Sequence, residues 1–235
     1  MTFEPLRRAC HTPRNLLGAE QANDAYAGAV VDSWAAPALT AANPAPVPWS
    51  QEELFRYLHS GVTAFHGIAA GPMSPVIHGL ASLPDADIQA IASYFADIDH
   101  AADRMAAADP AVARAMSYAR LASGRDFDPG ARLYAAACAS CHYNSGRVPL
   151  AVRPDLALHN PLNLPDPTNL IQVVLRGVRT NEGIPGVVMP GFSALSDADI
   201  AHIAAYLRRT RTSLPPWRNL DASVAAVRGS ASSSQ

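Results

Sequence analysis

The chain has 235 residues, enough for one large domain or two small ones. Its composition is 49% hydrophobic but only 7% aromatic, with alanine far ahead of the large aliphatics, so apolar surface per residue is modest and a buried cofactor would complete a core. All 18 positive side chains are arginine and face 20 acidic ones, a net charge of −2 that offers nothing to nucleic acid; nor does any run reach the roughly 18 apolar residues of a membrane-spanning helix.

Met1 to Cys10 lacks the apolar stretch of a secretory signal. Cys10-His11 follows, preceded by Arg7-Arg8-Ala9. Met73 lies in Ala70-Gly71-Pro72-Met73-Ser74-Pro75, and Leu83 to Phe95 predicts a helix. Ala106 to Ser123 is alanine-rich and helical in pattern, a connection with little chemistry of its own. Asp128 then reads as the cap of a helix with Pro129 at its first position. Cys138-Ala139-Ser140-Cys141-His142 comes next, and Asn160 to Thr168, with three prolines, predicts a loop. Asn169 to Val178 reads as a helix that stops at Gly177. Met189 sits in the proline- and glycine-rich Gly186-Val187-Val188-Met189-Pro190-Gly191-Phe192, which cannot be a helix interior. Ser196 caps a last helix whose Ile200, Ile203, Ala204 and Leu207 recur at helical spacing. In the tail, Leu220, Val224 and Val227 fall on one face of a short helix. That face suits either its own domain or a partner or membrane surface.

The spacing Cys138-x-x-Cys141-His142 is that of covalent haem attachment. Thiols three positions apart share a helix face and each reaches one porphyrin vinyl group, while the adjacent histidine is carried beneath the iron. A thioredoxin-like pair would follow a strand, but a helix precedes this one. A zinc site needs a second ligand pair, and His159 is the one other candidate within 50 residues downstream. For the sixth position Met189 offers a thioether in a rigid loop, which favours ferrous iron and raises the potential. The bland alternative for any methionine is core filler. The carbonyl of Pro149 or Pro154 is a candidate acceptor for the other ring N–H of His142. Arg14, Arg147, Arg153, Arg176 and Arg179 are candidates for haem propionates, with solvated positions as the default. His59, His78, His100, His159 and His202 read as surface or core residues, and His66, in the loop before Met73, is an alternative ligand to it.

The chain repeats internally. Leu83 to Phe95 matches Leu195 to Leu207 at an offset of 112, Leu54 to Val62 matches Leu170 to Val178 at 116, and Cys10-His11 matches Cys141-His142 at 131. Met73 thereby takes the axial position of the first copy. In that copy Arg7 stands where the first cysteine belongs, so one thioether can form, and the first helix has no counterpart. The expectation is a natural start upstream.

Residues 126–212 resemble a class I cytochrome c domain. The first copy carries a narrower resemblance, in Cys10-His11-Thr12-Pro13-Arg14-Asn15-Leu16-Leu17-Gly18-Ala19, Trp34-Ala35-Ala36-Pro37-Ala38-Leu39 and His66-Gly67-Ile68-Ala69-Ala70-Gly71-Pro72-Met73. These segments resemble the middle haem domain of three-haem cytochrome subunits of membrane-associated bacterial dehydrogenases of the quinoprotein alcohol, flavoprotein gluconate and molybdenum hydroxylase types. The resemblance implies an all-α fold of two class I cytochrome c domains in tandem. Residues 1–105 would be a degenerate or truncated domain lacking its N-terminal helix, 106–125 a linker, 126–212 the second domain and 213–235 a C-terminal tail. It implies haem c on Cys138, Cys141, His142 and Met189, with a second haem possible on Cys10, His11 and Met73. The implied role is electron transfer, without catalysis, from a dehydrogenase catalytic subunit to quinone or a terminal oxidase, in the periplasm, with a possible peripheral membrane contact through the tail. Two other readings stand beside it: a one-haem carrier whose first copy is a haem-free docking module, and a dihaem peroxidase-like enzyme.

Overall fold

In a computed structural model of the chain, residues 10–121, 128–142, 149–151, 155–179 and 188–232 are described. The fold is mainly helical. Its described strands form two antiparallel hairpins, β1 (Ala29–Val31) with β2 (Trp34–Ala36) and β3 (Val62–Thr63) with β4 (Gly67–Ile68). Helices α1 (Gln51–Ser60), α2 (Met73–Leu80), α3 (Asp85–Ile98), α4 (Ala101–Arg104) and α5 (Ala108–Leu121) belong to the first half or join the halves. Helices α6 (Pro129–Ala137), α7 (Ala139–His142), α8 (Asn160–Asn163), α9 (Thr168–Arg176), α10 (Asp197–Arg211) and α11 (Leu220–Ser232) make the second.

Local signals set the helix ends. Asp128 accepts from Ala131 N–H with Pro129 in the first turn of α6, and Ser196 and Asp199 form a reciprocal capping box on α10. The matched helices α1 and α9 both stop at a glycine of positive φ, Gly61 at 77° and Gly177 at 73°. One expectation is corrected. The stretch 160–168 is not all loop, because Pro161, whose missing N–H costs nothing at a helix start, opens the one-turn α8.

In the second half α6 crosses α10 with Gly130 at the contact, where a Cβ would collide with the His202 carbonyl oxygen. The core there joins Tyr134, Ile171, Ile200, Ile203 and Leu207 to Trp217, Val224 and Val227 of the tail. The apolar face of α11 is thus covered by its own half, and Val224 is 0% exposed. Arg228 ties it down through Asp197 (2.7 Å) and the carbonyls of Ser193 and Leu195 (2.8 Å each). In the first half α3 lies against α1 and α2 around Leu58, Ile77, Leu80 and Ile88, with Tyr26, Leu54, Ala92 and Phe95 alongside.

The halves are joined by more than chain. One face of α5 (Ala108, Ala111, Ala115, Met116) packs with Val47 and Phe65 before it and Ala157 and Leu158 after it. The Asn169 amide grips strand β2, accepting from Ala35 N–H and donating to Ala35 C=O at 2.8 Å each. Gln172 donates to Ser33 C=O at 3.2 Å.

Candidate haem-binding sites

In the second half Cys138 is the C-cap of α6, its N–H bonded to Tyr134 C=O, and the chain turns at once into α7 with His142 N–H on Cys138 C=O, both at 2.9 Å. Cys138, Cys141 and His142 are therefore carried together on nearly continuous helix, as the spacing predicts. Tyr134 reaches across and donates its hydroxyl to the His142 carbonyl at 3.1 Å. Cys138 is half-buried and Cys141 exposed, both free thiols. Burial, with a smaller push from Cys141, raises the Cys138 thiol to about 11.

Met189 is held from the far side. Val178 and Met189 exchange two backbone hydrogen bonds of 2.9 and 3.1 Å, and Phe192 N–H bonds Val174 C=O at 2.9 Å. Gly177 makes this possible, since any Cβ there would strike the Met189 carbonyl. Met189 is thus strapped to the end of α9 by an antiparallel bridge rather than lying in open loop. Its side chain packs on the same core cluster as Cys138.

In the first half His11 is buried, and its Nδ1–H donates to the Pro37 carbonyl at 2.7 Å. That bond fixes the tautomer and leaves Nε2 as the lone-pair nitrogen a metal takes. For His142 the sequence points to Pro149 or Pro154 as the matching acceptor, and Pro154 lies outside the described residues. The backbone around His11 is closed by Gly28 N–H on His11 C=O (2.8 Å) and Tyr26 N–H on the Thr12 hydroxyl (3.1 Å). Cys10 is half-buried; Arg7 lies outside the described residues. Met73 opens α2 and packs on Leu58, Ala69 and Ile77. That cluster adjoins the one holding Tyr26, the two sharing Phe55 and Ile91. An imidazole nitrogen and a soft sulfur are thus present in each half, a donor set that fits haem iron.

Two histidines stand out: His66, which the sequence offers as an alternative ligand to Met73, and His159, which it reads as a surface or core residue. His66 is buried and stacked on Trp49, ring centroids 3.6 Å apart and planes 13° apart, with Nε2 3.9 Å from Glu53. His159, of the second half, is partly buried with its ring against Gly67. Burial pushes each imidazole down to about 3, helped at His66 by His159 and at His159 by His142. No short-range pattern links positions 66 and 159. Of the arginines, Arg14 bonds Gly18 C=O at 2.8 Å. Arg176 and Arg179 line a cleft of about 620 Å³ with Trp34, Pro72 and His78, and Arg147 and Arg153 lie outside the described residues.

Residues 125–207 match the family model of the cbb3-type cytochrome c oxidase subunit III. This segment is a cytochrome c domain. Over 225 residues, 94% of its length, the chain is 41% identical to a subunit of nicotinate dehydrogenase from Pseudomonas putida, spanning 18% of that relative. It is 36% identical over 220 residues to the fructose dehydrogenase cytochrome subunit of Gluconobacter japonicus, spanning 84% of this chain and 44% of the relative. To the cytochrome c subunit of quinone alcohol dehydrogenase from Komagataeibacter europaeus it is 30% identical over 236 residues, 94% of this chain and 49% of the relative. The chain is a relative of the cytochrome c subunits of dehydrogenases, and it spans half or less of the length of these three. The matches reach well beyond the cytochrome c domain of 125–207 into the first half.

Proposed function

We propose that the chain is an electron-carrying segment of a dehydrogenase, built of two class I cytochrome c domains in tandem. The observation that carries this is Cys138-x-x-Cys141-His142 on nearly continuous helix, with Met189 packed on the same core, inside the matched cytochrome c domain. Bound haem c supplies a one-electron couple. Cys138 and Cys141 would hold it by thioethers, and His142 would give a nitrogen ligand and Met189 a sulfur that favours the reduced state. In the first domain His11, with Nδ1 pinned by Pro37, and Met73 would take the same roles, and Cys10 would form a single thioether. The Pro37 contact that orients the His11 ring supports a second haem here over a haem-free docking module. Met73 and Met189 would each offer the iron a sulfur, a donor set that favours the carrier over a peroxidase-like enzyme. Electrons enter from a catalytic subunit of molybdenum hydroxylase, quinoprotein or flavoprotein type and leave to quinone or a terminal oxidase, in the periplasm. The tail, with its apolar face covered, would offer a membrane only its polar side.

Spectroelectrochemistry of the holoprotein tests the reading. Two reversible one-electron steps, with no turnover of peroxide, are expected. Rapid peroxide consumption would replace the carrier by an enzyme.

A further inference from the structure

The two halves touch through a file of rings that ligand binding leaves unused. Trp49 and His66 stack at 3.6 Å. His66 leads into Gly67, whose φ of 82° presents a bare Cα to the His159 ring; a Cβ there would lie 2.8 Å from Cε1 and Nδ1. His159 belongs to the same half as His142 and meets the first half at Gly67. Behind Trp49 lies the cluster of Tyr26, Leu54, Ala92 and Phe95. Tyr26 is hydrogen-bonded to Thr12, the residue after His11. A packed file therefore runs from Thr12, next to His11 in the first half, to His159 in the second.

We propose that His66 and His159 are positioning residues for electron exchange between the two halves, bridging the centre at His11 and the centre at His142. This rests on the reading above that both halves hold haem. With haem held in both halves, one electron would pass from the reduced centre, oxidising it, to the oxidised centre, reducing it. The step would form and break no bond and would need no proton. Contiguous packed groups couple two sites better than a solvent gap does, and Gly67 admits the ring that closes this one.

The test uses the full-length holoprotein with its haems counted. Exchange between the centres is followed after pulse radiolysis in the parent and in His159→Leu, His159→Phe and His66→Leu, with both potentials and the near-ultraviolet dichroism of Trp49 recorded. At matched driving force the two leucine variants are expected to slow exchange by about tenfold, and His159→Phe, which keeps a ring, to recover most of the rate. A leucine variant within about twofold of the parent, or a phenylalanine variant as slow as leucine, overturns the proposal. A chain with one haem overturns the two-centre reading and this inference together. Two haems with an unchanged rate overturn only the inference.

Discussion

Taking an imidazole out of water without a counter-charge makes its protonated form costly, and His66 and His159 carry that cost in the folded state. Unfolded, each has a pKa near 6.5; folded, each is down at about 3. Between those values the unfolded chain binds more protons, so stability is full above about 6.5 and falls as the pH drops toward 3, by at most about 1.4 kcal/mol per pH unit for each group. Denaturant unfolding at pH 7 and pH 5 should show this loss in the parent and a smaller one in His159→Leu. An equal loss in both would mean that His159 is solvated. The residues bearing the proposed ligands were legible because their chemistry is local: two thiols and an imidazole within five positions, and a methionine between prolines and glycines. The Pro37 contact of His11 was not, since it spans 26 positions and any proline carbonyl in the first copy was an equal candidate.

At the scale of elements, the caps at Asp128, Ser196 and Gly177 were readable because each is settled within four residues. The hairpins were not. Strands of two or three residues are too short to show an alternating period, and they exist because Asn169 and the Gly67 contact hold them from outside. The tail shows a different limit. An amphipathic face states that something covers it without stating what, and here the cover is α9 and α10. The crossing of α6 and α10 gives a prediction at this scale. Gly130→Ala places a methyl group against backbone rather than a yielding side chain. The variant should be destabilised by about 1–3 kcal/mol, read as a lower denaturation midpoint at unchanged slope. A midpoint equal to the parent's would show that the helices separate freely.

Across the whole molecule, the internal repeat was visible as three matched segments, but the sequence treats 106–125 as a connection of little consequence. In the fold, α5 packs with Val47 and Phe65 on one side and with Ala157 and Leu158 on the other, and Arg211 of α10 bonds Tyr118 C=O at 3.0 Å. Such contacts depend on residues far apart in sequence, which no local pattern reports. They leave the two repeats packed against each other, with His159 at the seam. The central claim is that Cys138, Cys141 and His142 bind haem covalently. A pyridine haemochrome spectrum with intact mass, after expression behind a signal peptide with haem maturation factors, tests it most directly. The account predicts two haems per chain: one with an unshifted α band from the two thioethers at Cys138 and Cys141, and one red-shifted by its single thioether at Cys10. One unshifted haem would restrict the chemistry to the second domain, and a mass without covalent haem would contradict the account.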